Sequence, residues 1–258
     1  MMKKTLIALA LAATAVSGSA MAWTSSGTGG SMEFSGTLTP AENVTPWEVL
    51  VGAAVSNLNA EIKTGSKIAS IPVNTAVPVL GIRTALSQAF QGATGITPQI
   101  DYKGAIDTSK FTNGVTTLTL DVKDTSDAKI GVLTAPLSAA AVQSYLGGNQ
   151  YSIYAYAAGN AFWGGLSTTN TGVAQGSSAA KALINSINAD FMAKYITQGG
   201  EERSGSVGGS FTSTSSTYSA AYGAGIVAGA TAQLTLDNPA ASDAIAWKAS
   251  LPITVSYQ

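Results

Sequence analysis

Ten stretches in which apolar and polar residues alternate one by one fill most of the chain beyond residue 46: 47–55, 67–73, 77–82, 97–102, 115–122, 129–137, 151–156, 206–211, 231–236 and 245–257. A period of two sends successive side chains to opposite faces, so each stretch reads as a strand with one face buried. The clearest is 116–122, where Leu118, Leu120 and Val122 share one face and Thr117, Thr119 and Asp121 the other. Turn signals such as Thr64-Gly65, Asn113-Gly114 and Asp237-Asn238-Pro239 separate the stretches. Many short strands at this spacing pack as an antiparallel sandwich rather than as alternating βα units. One segment departs from the pattern. From Ser177, residues Leu183, Ile184, Ile187, Phe191 and Tyr195 recur at helical spacing until Gly199-Gly200. Residues 139–205 are therefore expected to be an elaboration carried by the sandwich, with one or two helices inside it, and 201–205 reads as loop.

The two ends carry their own signals. Lys3 and Lys4, the apolar run 6–16 and the small-residue site Ala20-Met21-Ala22 form a secretory signal peptide over 1–22, cut after Ala22. Domain assignment then gives an N-terminal extension at 23–42 and a sandwich domain at 43–258. Within the extension, residues 30–38 form an isolated alternating strand. Met32, Phe34 and Leu38 lie on one face, Gly36 leaves a notch in that face, and the flanking sequence is too polar and glycine-rich to pack by itself. At the far end Leu251, Ile253, Val255 and Tyr257 alternate with polar residues up to the last position, leaving the outer edge of that strand unpaired. An unpaired ladder beside an apolar groove is a receptor for a strand from another copy.

Catalysis finds little support. The chain has no histidine and no cysteine, which excludes Ser-His-Asp and Cys-His chemistry, disulfides and the usual zinc sites. Ser178-Ala-Ala-Lys181 and Lys63-Thr-Gly65 match two motifs of penicillin-binding enzymes in reversed order. A helix-capping Ser177 or Ser178 and a solvated Lys181 explain the match instead. Gly223-Ala-Gly225-Ile-Val-Ala228 fits a permissive dinucleotide fingerprint, but no βαβ unit surrounds it, so a glycine bulge or close sheet packing is expected there. No cofactor, no metal and no enzymatic activity are expected. Without Lys3 and Lys4 the chain has 11 basic against 14 acidic residues, which speaks against nucleic acid as a partner.

These residues resemble a known family. The mature start Trp23-Thr24, the strand Gly30-Ser-Met-Glu-Phe-Ser-Gly-Thr-Leu38, Trp47-Glu-Val, Pro78-Val-Leu-Gly81, Ile96-Thr-Pro-Gln-Ile100, Phe162-Trp-Gly-Gly-Leu-Ser-Thr-Thr169, Ala220-Ala-Tyr222 and Ile253-Thr-Val-Ser-Tyr257 occur in order. The set is similar to the FaeG-like family of cysteine-free fimbrial subunits of the chaperone-usher pathway in enterobacteria. That resemblance implies an all-β, incomplete immunoglobulin-like antiparallel sandwich lacking strand G, completed by donor-strand exchange. It implies a donor strand carrying Met32, Phe34, Gly36 and Leu38, and a periplasmic chaperone held through Ile253, Val255 and Tyr257. The other implied partners are sibling subunits, an outer-membrane usher and a host glycoconjugate, and the implied location is a fimbrium on the bacterial surface, reached through the periplasm.

Ligand contacts are expected in the elaboration. Tyr145, Tyr151, Tyr154, Tyr156, Phe162 and Trp163 crowd one stretch among Asn and Thr residues, an inventory suited to sugars. Phe162 and Trp163 are expected in the core. Tyr154 and Tyr156, with Lys181, Asn185 and Asn188 on the helix surface, are the candidate glycan contacts. The alternative reading is a minor or assembly subunit of the same kind of fimbria without a receptor site.

Overall fold

The computed structural model describes residues 34–37 and 44–258. The signal peptide, Met32 and Leu38 lie outside the described residues. Phe34, Gly36 and their neighbours at 34–37 carry no regular secondary structure and are exposed. The unit Val44–Gln258 contains β1 (Trp47–Val51), β2 (Ile68–Pro72), β3 (Val77–Thr84), β4 (Phe90–Gln91), β5 (Pro98–Asp101), β6 (Val115–Lys123), β7 (Lys129–Tyr145), β8 (Gln150–Tyr154), α1 (Gly176–Ile187), β9 (Glu202–Gly208), β10 (Thr217–Ile226), β11 (Thr231–Leu236), β12 (Lys248–Ala249) and β13 (Thr254–Tyr257). It is an immunoglobulin-like sandwich. The main sheet runs β1-β3-β10-β7-β11-β2, with β6 and β8 along the other edge of β7, and β5 pairs β13 separately. Every pairing is antiparallel except β8 with β9.

Between the layers lies an aromatic core. Trp47, Phe162, Phe211 and Tyr222 are buried there with Leu80, Ile82 and Leu137. The ring of Trp47 meets Phe90 edge-on with centroids 4.9 Å apart, and Phe162 stacks on Tyr222 at 5.3 Å. The Tyr222 hydroxyl donates to the Gly165 carbonyl at 3.1 Å and shares a 2.9 Å hydrogen bond with the Tyr102 hydroxyl. Burial pushes both phenols well above the usual tyrosine range. A second apolar cluster built on Ile71, Val73, Leu234 and Leu236 fills the β2–β11 end.

The opposite face of β3, β10 and β7 is covered too. Ala140, Val142 and Ala221 pack there against Ile184, Ile187 and Phe191, from α1 and the 3-10 turn Ala189–Met192. The sheet is stripped of side chains to admit them. A Cβ on Gly81 would sit 2.3 Å from the Phe191 ring, one on Gly223 2.9 Å from it, and one on Gly225 2.6 Å from Ile187. This double burial explains two departures from the sequence reading. Strand β10 has nearly every residue buried, so it shows no apolar–polar alternation and did not read as a strand. For the same reason β7 runs on through residues 138–145, paired with β10, although 139–145 reads as elaboration. The expected glycine features are present: the β3–β10 register shifts between Ala224 and Gly225.

Three smaller differences have local causes. Residues 201–205 read as loop, yet β9 begins at Glu202; it is a mostly exposed strand held by its parallel ladder with β8, so burial leaves no apolar signature. The single strand expected over 245–257 is two, because β12 pairs β6 and β13 pairs β5, and the stretch between them contains Pro252, which has no ladder donor. The N-cap of α1 is Gln175, with no side-chain cap bond. Ser177 instead accepts from the Arg203 backbone N–H at 3.2 Å.

Candidate functional site

The C-terminal strand has one satisfied edge. Thr97 and Gln258 exchange both backbone bonds, at 2.9 and 3.0 Å, and the register continues Tyr257↔Pro98, Ser256↔Gln99, Val255↔Ile100, Thr254↔Asp101. Antiparallel ladders bond alternate pairs, so Ser256 and Thr254 face β5, and the backbone groups of Val255 and Tyr257 face away from it. The far edge of β5 agrees: Phe162 N–H donates to the Pro98 carbonyl at 2.8 Å and Ile100 N–H to the Trp163 carbonyl at 2.7 Å. Among the described residues β13 has no second strand partner. Leu251, Ile253, Val255 and Tyr257 are half-buried against the aromatic core.

Strand β1 shows the same incompleteness from the side chains. Trp47, Val49 and Val51 share its inward face; Trp47 is 7% exposed, but Val49 and Val51 are 40% and 59% exposed. Inward-facing valines left in water mark an uncovered stretch of the core. Sequence reading did not single them out, because alternation fixes the face and not whether anything covers it. The outward face of β1 is tied to the elaboration. Glu48 accepts from Arg83 at 3.0 Å and from Lys194 at 2.6 Å, and Arg83 also reaches Asp190 at 2.8 Å. The Lys194 and Arg83 cations hold the Glu48 carboxyl below the usual range.

The candidate glycan residues fall in two places. Tyr154 and Tyr156 have ring centroids 5.8 Å apart, and both rings close over Gly208, where a Cβ would lie 2.6 Å from Tyr156 and 3.3 Å from Tyr154. Tyr156 is 58% exposed and Tyr154 half-buried. Phe162 is buried, and Trp163 is half-buried against the core. Lys181 sits at the other end of β8, about 13 Å away along four strand residues. It is not a free solvated lysine: it pairs with Glu202 and donates to the Gln150 side chain at 3.1 Å. That contact holds the Glu202 carboxyl below its ordinary value. Tyr195 also donates to Gln150, at 3.3 Å, and burial raises its phenol. Asn185 is exposed one helical turn beyond Lys181. No group of potential metal ligands occurs among the described residues.

Comparison with known proteins adds the family. The profile of the family described as "Fimbrial, major and minor subunit" matches residues 2–258. K88 fimbrial protein AB of Escherichia coli is 31% identical over 99% of this chain and 100% of its own length. F41 fimbrial protein of Escherichia coli is 31% identical over the same shares, and K88 fimbrial protein AD of that organism 30%. This immunoglobulin-like sandwich, matched end to end in this way, belongs to the K88 fimbrial family, whose members are exported structural subunits of surface fimbriae.

Proposed function

We propose that copies of this chain are joined by donor-strand exchange, with Met32, Phe34, Gly36 and Leu38 of one copy laid along the open edge of β13 in the next. The observation that carries this reading is the outward backbone of Val255 and Tyr257 on a strand whose side chains lie against the aromatic core; the inward-facing but exposed Val49 and Val51 separately mark an uncovered stretch of apolar face on β1. An incoming strand supplies the missing ladder along β13 and buries its apolar side chains against the core. Burying three apolar donor side chains contributes about 1.5 to 3 kcal/mol each. Before assembly, a periplasmic chaperone occupies the same edge through Ile253, Val255 and Tyr257 and delivers the subunit to an outer-membrane usher. Deleting residues 32–38 tests the reading: the expected product is a chaperone-bound monomer absent from fibres, and normal fibre yield refutes it.

The fibre also acts as an adhesin for host glycoconjugates through the elaboration that follows β7, within 146–205. Tyr156, exposed beside the half-buried Tyr154, is the contact in best position to stack on a sugar. Lys181 and Asn185 contribute only to a ligand long enough to reach along β8. Replacing 146–205 by the segment of a non-binding relative is expected to abolish cell binding and leave assembly intact. Retained binding would place adhesion elsewhere.

A further inference from the structure

A strained turn on the outer side of β5 brings Trp163, half-buried against the core, to the wall of a surface cleft. Phe162 has φ 61°, a left-handed conformation that is an outlier for a bulky side chain. It is held there from several directions: its side chain is fully buried, its N–H is bonded to the Pro98 carbonyl, and Gly165 donates to its carbonyl at 3.0 Å. Gly164 follows with φ 82°, and a Cβ there would lie 2.0 Å from the Ile100 carbonyl oxygen. Strain fixed by so many contacts is characteristic of ligand sites. The turn sets Trp163 in a cleft of about 400 Å³ bordered by Asp101, Ile106, Thr108, Ser256 and Gln258. Among the described residues no aromatic ring pairs with Trp163 and no protein group accepts its indole N–H.

We infer that this cleft binds a neutral saccharide, one ring stacked on Trp163 with its hydroxyls on Asp101, Ser256 and Gln258. The chemistry favours that class. One aromatic face, rimmed by a carboxylate, an amide and hydroxyls, matches the apolar C–H side and hydroxyl edge of a pyranose. The only charged side chain on the rim, Asp101, is already paired with Lys103 at 2.6 Å, so a charged ligand finds no uncompensated partner. The carboxylate oxygens retain lone pairs for hydroxyl donors. The cleft is open and one site binds weakly, which repetition along a fibre raises by avidity.

The inference rests on the adhesive reading of the fibre, but uses residues apart from the Tyr154–Tyr156 pair. The test is saturation-transfer NMR on intact fibres with lactose, cellobiose and maltose. At least one of them is expected to show transfer that falls about tenfold in Trp163→Ala and about threefold in Asp101→Asn; the second variant alters an exposed rim residue and keeps the test valid if the first fails to assemble. No transfer from any of the three sugars, transfer unchanged by both substitutions, or tetramethylammonium binding in their place overturns it. Fibres that bind cells but show no Trp163-dependent transfer leave adhesion standing and remove this site.

Discussion

Two prolines on neighbouring residues should have opposite effects. In Val255→Pro the lost N–H is one that faces away from β5, so the β5–β13 ladder survives; proline is tolerated on an edge strand in that orientation. The isolated, chaperone-released or self-complemented subunit loses little beyond part of a half-buried valine side chain, about 1 kcal/mol. The joint between copies loses a hydrogen bond and leaves a donor-strand carbonyl buried without a partner, together about 2 to 4 kcal/mol. In Ser256→Pro the lost N–H faces β5 and pairs with Gln99, which is buried. The cost then falls on the subunit itself, about 1 to 3 kcal/mol for the orphaned group. Urea unfolding of the complemented monomer and heat dissociation of fibres separate the two. Expected are a normal monomer with labile fibres for Val255→Pro, and a destabilised monomer for Ser256→Pro. The reverse pattern would show that the bonding phase of β13 has been assigned wrongly.

Phe34→Asp is expected to weaken the joint by several kcal/mol, since it places an unpaired charge in an apolar groove; fibres with unchanged resistance to denaturant would contradict the donor assignment. Tyr222→Phe removes the donor to Gly165 and orphans one end of the Tyr102 hydrogen bond, at about 1 to 3 kcal/mol in denaturant unfolding. Gly81→Val must displace Phe191, so amide exchange in residues 189–196 should accelerate while that of β5 and β13 does not. The Glu202 carboxyl is held low by Lys181, so its contribution is present above about pH 4.5, its unfolded value, and disappears as pH falls through the lower folded value. The stability gap between wild type and Glu202→Gln should therefore close in acid; a gap that is constant from pH 7 to 3 would rule out the ion pair as its source.

Alternation sufficed to find most strands of the sandwich, most clearly β2, β6 and β11, which have one wet face. It failed on β10 and on the second half of β7, where α1 and Phe191 bury the remaining face and glycines and alanines replace the usual pattern. The first half of strand β9, 202–205, escaped for the opposite reason, being exposed and held by its backbone, while the reading of 206–211 as strand caught its end. The helix at 176–187 was legible from its apolar spacing, but its cap was not, because Ser177 turned to the Arg203 backbone instead. Lys181 looked solvated in the sequence because nothing local indicates that Glu202 and Gln150 come beside it.

The sequence by itself determined the all-β class, the place of the helical insertion, the absence of histidine and cysteine chemistry, and the family. The first three follow from local periodicity or from residue content, and the family from the resemblance carried by the ordered motifs. Only the tertiary structure decided which backbone groups of β13 are spent on β5 and which are left, that Val49 and Val51 are inward yet uncovered, and that Trp163 is set in a cleft by the strained Phe162 turn. Those properties depend on contacts between residues far apart in the chain, and periodicity specifies the face a side chain takes without specifying what meets it.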